Sequence, residues 1–261
     1  MPLYFEVKGN GAPVLFIHQG IADCRVWDRQ WISFAPRYKL MRCDLAGFGR
    51  SPISKIPIAH ARDVAAALDE AGVSGAAVVG GSLGGRVALE LAVGRPDLVR
   101  ALVLVAAALP GVDWSREVRS FGAAEDDAMA SRDLDAATEL NLRMWVDGPH
   151  RTAAEVDPIV RAAVAEMQRR ALEVPSPHWD VLEEEMLVPE IAERLGTLEA
   201  PTLVVVGEGD VDDFRRLATR LTDEIPGARL HTIPGAAHVP NLEQPLAFDA
   251  VALGFLDDAL C

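Results

Sequence analysis

No stretch of this chain is long and apolar enough to cross a bilayer. Its longest apolar run, Ala101 to Pro110, is about half of the roughly 18 residues that a span needs. The opening residues, Met1 to Val7, carry no basic stretch leading into an apolar core, so no secretory signal is visible. Cysteine is scarce. Cys24, Cys43 and Cys261 are odd in number and scattered, which suits neither a disulfide framework nor a Cys-rich metal site and points to a reducing, cytoplasmic setting. Positive charge is in the minority, with 25 Lys and Arg against 39 Asp and Glu and a net charge of -14. Such a chain repels phosphate backbones and anionic lipid, so neither nucleic acid nor a membrane is an expected partner. No ligand cluster with metal spacing appears, and no metal or organic cofactor is expected. Internal repeats and low-complexity segments are missing too. The expected partner is a small-molecule substrate, and self-association into a homo-oligomer stays open.

What the chain has is apolar residues, 50% of its 261, enough to bury a large core in one α/β domain carrying an insertion. Short apolar runs recur at Leu3 to Val7, Val14 to Ile17, Leu40 to Cys43, Ala76 to Val79, Leu102 to Val105, Leu203 to Val206 and Leu230 to Ile233. They alternate with helical patterns such as Ala59 to Ala71, whose exit is marked by Gly72 and Gly75. This alternation predicts a parallel sheet with helices on both faces. His60, inside that helical pattern, is expected to face solvent or a helix partner. From Gly111 to Gly196 the alternation stops and gives way to charged, helix-favouring sequence broken by prolines. The division expected is a core of residues 1–110 and 197–261 with a helical cap of residues 111–196, folded over the C-terminal edge of the sheet. Trp114, Phe121, Met129, Met144, Trp145 and Trp179 are candidates to line an apolar pocket there. The run Glu183 to Glu185 reads as a solvated helix face.

Between the fourth apolar run and the helical pattern Arg86 to Val93 stand Gly80, Gly81, Ser82, Leu83, Gly84 and Gly85. A serine on a sharp strand-to-helix turn sits where an acyl-transfer nucleophile belongs. The turn is strained, and Gly80 and Gly84, two positions either side, remove the side chains that would collide. Phosphate-binding readings fit poorly: no Lys follows the glycines, and Ser82 occupies the second glycine position of a dinucleotide fingerprint.

An activated serine needs a base, and the base needs a carboxylate. Where the nucleophile sits on such a turn, acid and then histidine follow in chain order. His238, on a loop after the last apolar run, is placed as the base, whereas His231 lies inside the strand pattern and His150 and His178 lie in the insertion. Asp210 follows the sixth run across Gly207, Glu208 and Gly209 and is the candidate acid, with Glu208, Asp212 and Asp213 as competitors. Amides of Gly20, after the second run, and Leu83 are the candidate oxyanion donors. Val239 beside the base is a further candidate for contact with substrate. Because the base must be neutral, turnover should fall as acid protonates it.

With these residues in view the chain resembles the α/β-hydrolase superfamily along nearly its whole length. The resemblance is carried by His18, Gln19 and Gly20, followed by Trp27; by the loop Asp44 to Ser51; by the turn at Ser82; by Asp210; and by the ending His238 to Pro245. It implies a mostly parallel eight-stranded sheet under a helical lid, and a capped branch that includes carboxylesterases, enol-lactone hydrolases, carbon-carbon bond hydrolases and cofactor-free perhydrolases. The expected activity is hydrolysis of a small, largely apolar ester or lactone by Ser82, His238 and Asp210. Carbon-carbon cleavage or perhydrolysis would use the same residues, and a non-catalytic ligand-binding protein would share the fold. Gln19 departs from the glycine that many relatives carry there, and its amide is a candidate to enter the pocket. Arg86 is expected to pack or to form a salt bridge.

Overall fold

The seven apolar runs each form a strand in the computed structural model, which describes residues 3–53, 57–173 and 183–260. They are β1 (Phe5–Lys8), β2 (Pro13–Ile17), β3 (Lys39–Cys43), β4 (Ala76–Gly81), β5 (Val99–Val105), β6 (Thr202–Gly207) and β7 (Arg229–Ile233). One sheet results, in the order β1-β3-β2-β4-β5-β6-β7, with β1 antiparallel to β3 and every other pair parallel. The eighth strand implied by the resemblance is not formed among the described residues, where the sheet has seven strands. The sequence offers an apolar run for each of those seven and none beyond them.

Between and after the strands lie α1 (Asp28–Ser33), α2 (His60–Glu70), α3 (Leu83–Gly94), α4 (Arg116–Ala130), α5 (Leu134–Asn141), α6 (Pro158–Glu173), α7 (Asp212–Glu224), α8 (Pro240–Glu243) and α9 (Pro245–Leu260). Side chains alternate across a strand, and both faces of this sheet are covered. Leu15, Ile17, Val78 and Leu104 pack with Val64 and Leu68 of α2 and Leu91 of α3. Val14, Phe16, Val79 and Val103 pack on the other face with Trp27, Phe34 and Phe248. There the ring of Phe16 lies 5.2 Å from that of Trp27 and 5.5 Å from that of Phe34.

The chain order reverses between β2 and β4, which are neighbours although β3 lies outside β2 and β5 outside β4. In open α/β sheets such a reversal leaves a crevice at the carboxyl ends of the two strands, because their connections leave in opposite directions. Gly20 follows β2 and Ser82 follows β4, so the topology brings both to that crevice.

Between β5 and β6 the described residues include the helices α4, α5 and α6. Ser115 accepts the Val118 N–H at the start of α4, Asp133 accepts the Ala136 N–H at the start of α5, and Pro158 opens α6. Residues Leu142–Asp147 continue α5 as a π-helical turn. Glu183 to Glu185 are exposed but not helical. Glu184 makes a parallel bridge with Ile58 and pairs with Arg86, and Glu185 pairs with Arg62. Arg86 also pairs at 2.9 Å with buried Glu90, as a salt-bridge residue should. Among the described residues no helix is long and apolar enough to cross a membrane.

His60 differs from expectation. It opens α2, but it is buried and its ring faces Phe48 at 6.4 Å instead of solvent. The apolar face of α2 begins at its first residue, and burial, with help from the charge of Arg86, pushes the imidazole down to about 3. Folded protein therefore takes up no proton here until about pH 3, whereas the unfolded chain takes one below about pH 6.5. Stability from this group is complete above that upper value and drains away as pH falls toward the lower one. Replacing His60 by Leu should flatten the acid side of the stability profile by about 1.4 kcal/mol per pH unit just below pH 6, read as urea-unfolding free energy from pH 7 to 5.

Candidate active site

Ser82 adopts φ 47° and ψ -110°, a left-handed conformation that L side chains rarely take. Its N–H donates to Val105 O at 2.9 Å, and its carbonyl accepts from Arg86 N at 3.0 Å and Ala108 N at 3.1 Å. The conformation requires bare neighbours. A Cβ on Gly80 would lie 2.3 Å from Gly84 O, and one on Gly84 would lie 2.4 Å from Ile17 O. The expected glycine pair is thus demanded by backbone contact. Gly81 and Gly85 are constrained as well, by the Gln19 side chain at 2.6 Å and the Ala107 Cβ at 2.5 Å.

The loop after β2 lies directly against this turn: a Cβ on Gly20 would be 3.7 Å from the Leu83 side chain. Leu83 is the first residue of α3, so its N–H has no intrahelical acceptor and stands at the positive end of the helix dipole. His18 fixes the loop. Its Nε2 accepts the Leu45 N–H at 2.9 Å and its Nδ1 donates to Gln19 O at 2.7 Å, and burial holds the ring below its ordinary range and neutral.

His238 and Asp210 meet from separate elements. Asp210 closes the turn after β6 and is buried, its Oδ1 accepting the Val211 N–H at 2.8 Å. Its Oδ2 accepts from His238 Nδ1 at 2.9 Å. The competing carboxylates are engaged elsewhere. Asp213 accepts the Ser115 N–H, Asp212 pairs with Arg215, and Glu208 accepts weakly from Gly235 N. The imidazole of His238 lies 4.9 Å from the Trp145 ring, tilted against it by 41°, and edge-on at 4.4 Å to Phe214 of α7. Its backbone N–H donates to Trp145 O at 3.2 Å, a carbonyl supplied by the π-helical turn.

Ser82, His238 and Gly20 open onto one cavity of about 1210 Å³. Phe48, Phe121, Met129, Trp145 and Leu172 give it apolar walls. Of the candidates from the sequence, Trp145, Phe121 and Met129 line this cavity. The other candidates lie elsewhere. Gln19 is buried and donates to Asn241 Oδ1 at 3.2 Å, Val239 and Met144 pack in the apolar clusters, and the Trp114 ring lies tilted at 5.7 Å from that of Phe214. Each is held by core contacts that its local sequence does not reveal. Trp179 and His178 fall outside the described residues, and His150 is exposed.

Sequence reasoning missed Phe214, Arg151 and Glu243. Buried Glu243 accepts the Ala237 N–H at 2.8 Å and pairs with Arg151 at 2.6 Å, while Arg151 also donates to Val146 O and Gly235 O. This ties the histidine loop to the insertion. A Glu four residues beyond the loop's last Val was the available signal. Asp23, Cys24 and Asp44 form a tight buried cluster, but Asp23 is paired with Arg25, the Asp44 carboxylate accepts from Cys24 N and Arg50 N, and burial raises the Cys24 thiol. Their lone pairs are committed to the protein.

Residues 12–245 match the family described as alpha/beta hydrolase fold. This chain belongs to that family. Among curated α/β-hydrolase relatives it is 30% identical, over 97% of its length and 94% of theirs, to RutD of Azorhizobium caulinodans, a protein named for carbamate hydrolysis. It is 26% identical to the pimeloyl-[acyl-carrier protein] methyl ester esterase of Pectobacterium atrosepticum, over 97% of this chain and 98% of that one. Among solved structures it is similar to Est816, an N-acyl homoserine lactone degrading enzyme, with a TM-score of 0.77 and 26% identity over 97% of this chain and 96% of that one.

The clearances around Ser82 predict a sharp contrast between two glycines. Gly80→Ala should cost about 3 kcal/mol or more, since only backbone can give way. Gly122→Ala on α4, where nothing beyond its chain neighbours and the helix's own backbone lies within 4 Å of the new methyl group, should be neutral or stabilising by up to about 1 kcal/mol. Thermal unfolding of the two variants measures the difference.

Proposed function

We propose that this chain is a serine hydrolase that cleaves small, largely apolar carboxylic esters or lactones through an acyl-enzyme, with residues 111–196 as the cap over its pocket. The observation that carries the reading is the 2.9 Å contact of His238 with buried Asp210, beside a strained serine that shares a cavity with that histidine. Ser82 Oγ attacks the substrate carbonyl as His238 Nε2 takes its proton. The oxyanion is received by the amides of Gly20 and Leu83. Collapse releases the alcohol, or opens the lactone, with the proton returned by His238. Water, deprotonated by the same nitrogen, then attacks the acyl carbonyl, and Ser82 Oγ leaves with the proton that His238 passes to it, giving the carboxylic acid and the free serine. Asp210 orients the imidazole and offsets its charge while it holds the proton.

Relatives named for methyl ester and lactone cleavage support this reaction class, and the apolar walls support substrates with hydrocarbon bulk near the scissile bond. Cysteine usage supports a cytoplasmic location: Cys24 and Cys43 are buried free thiols.

On p-nitrophenyl esters, Ser82→Ala should lower kcat on the order of a millionfold, and Asp210→Asn roughly ten-thousandfold. A fluorophosphonate probe should label wild type at Ser82 and leave Ser82→Ala unlabelled. Labelling that persists in Ser82→Ala, or esterase activity indifferent to both substitutions, rejects the assignment.

A further inference from the structure

The helix α4 presents Phe121, Glu125 and Met129 at four-residue spacing to the cavity. Two of the three are the apolar residues a pocket wall calls for, and the third is a carboxylate. Glu125 does not stand alone. Asn141, buried at the end of α5, donates to Glu125 Oε1 and, at 2.9 Å, to Ala137 O, which orients the carboxylate from behind. From α6 comes Gln168, which lines the same cavity and is only 3% exposed. Its Oε1 is buried with no hydrogen-bond donor among the described residues.

A buried amide oxygen without a donor is costly, and of the three such glutamine oxygens among the described residues, those of Gln19, Gln30 and Gln168, only the last belongs to a residue that lines this cavity. Asp126 and Arg132 also line this part of the cavity, so its charged side chains sum to one excess negative charge when all are ionised. Burial and the neighbouring Asp126 push the Glu125 carboxyl upward, against the hydrogen bond from Asn141. In either protonation state Glu125 keeps an acceptor oxygen.

We propose that Glu125 and Gln168 form a second recognition site in the cavity, which accepts hydrogen bonds from a hydroxyl or amino group on the part of the substrate remote from the scissile carbonyl. The preferred substrates are then hydroxy- or amino-substituted esters and lactones, and a terminal carboxylate is disfavoured by the same acceptors. This rests on the hydrolase reading for the identity of the scissile bond, and on the cavity alone for the donor.

Straight-chain methyl ketones of increasing length, ending in methyl, hydroxyl, amine or carboxylate, test the site by calorimetry on Ser82→Ala, with no chemistry required. At the optimal length the hydroxyl or amine form should bind roughly tenfold tighter than the methyl form, and the carboxylate form more weakly than either. In Ser82→Ala that also carries Gln168→Met and Glu125→Leu, the donor preference should vanish while the methyl ketone keeps its affinity. Equal binding of all four series in Ser82→Ala, a preference for carboxylate, or a donor preference that survives both substitutions overturns the proposal. If the substituted protein does not fold, the four series in Ser82→Ala alone still decide. Failure of the hydrolase reading shows separately, as wild type that leaves p-nitrophenyl acetate uncut.

Discussion

The left-handed backbone of Ser82 is the constraint around which the rest of the molecule is arranged. That conformation survives only because two neighbouring strand ends close on it: Ile17 O of β2 presses against Gly84, Val105 O of β5 takes the Ser82 N–H, and the chain leaving β5 returns Ala108 N to the Ser82 carbonyl. A strained residue persists when its surroundings over-determine it, and here the determinant is the pairing of β2, β4 and β5 at the centre of the sheet. The large aromatic cluster under β2 and the aliphatic cluster opposite it fix that pairing. Core burial and hydroxyl placement are one problem in this fold.

The histidine is placed by a different logic. His238 gives one hydrogen bond to the sheet side, from its Nδ1 to Asp210, and one to the insertion, from its backbone N–H to Trp145 O. Two rings clamp its imidazole, one from α7 and one from the π-helical turn, and the Arg151–Glu243 pair binds the loop below. The insertion therefore does more than line the cavity. It shares in positioning the proposed base.

The parts legible in the sequence are those set by local pattern. Seven strands announced themselves as apolar runs, and Ser82, Asp210 and His238 by their place just after strands. Phe214 and Glu243 were not legible, because each lies on a polar-looking helix or turn and acquires its importance from a partner far away in the chain. His60 was misplaced for the same reason: helical periodicity gives a face but not what packs on it. Gln19 reads as a pocket residue from its neighbours, yet Asn241, 222 residues away, claims its amide. Pocket walls are the least legible, since Phe48 and Leu172 meet there only through the tertiary fold.

The carbonyl of Trp145 has a consequence for how such proteins diversify. Specificity would be easiest to change by exchanging the whole insertion as a module, but a donor module lacking the widened turn at Leu142–Asp147 would leave the His238 amide without its acceptor and the loop adrift. Grafts that splice within α4 to α6 while retaining the recipient's own turn would keep His238 moored. Evolutionary freedom in this insertion is thus bounded by a single peptide group.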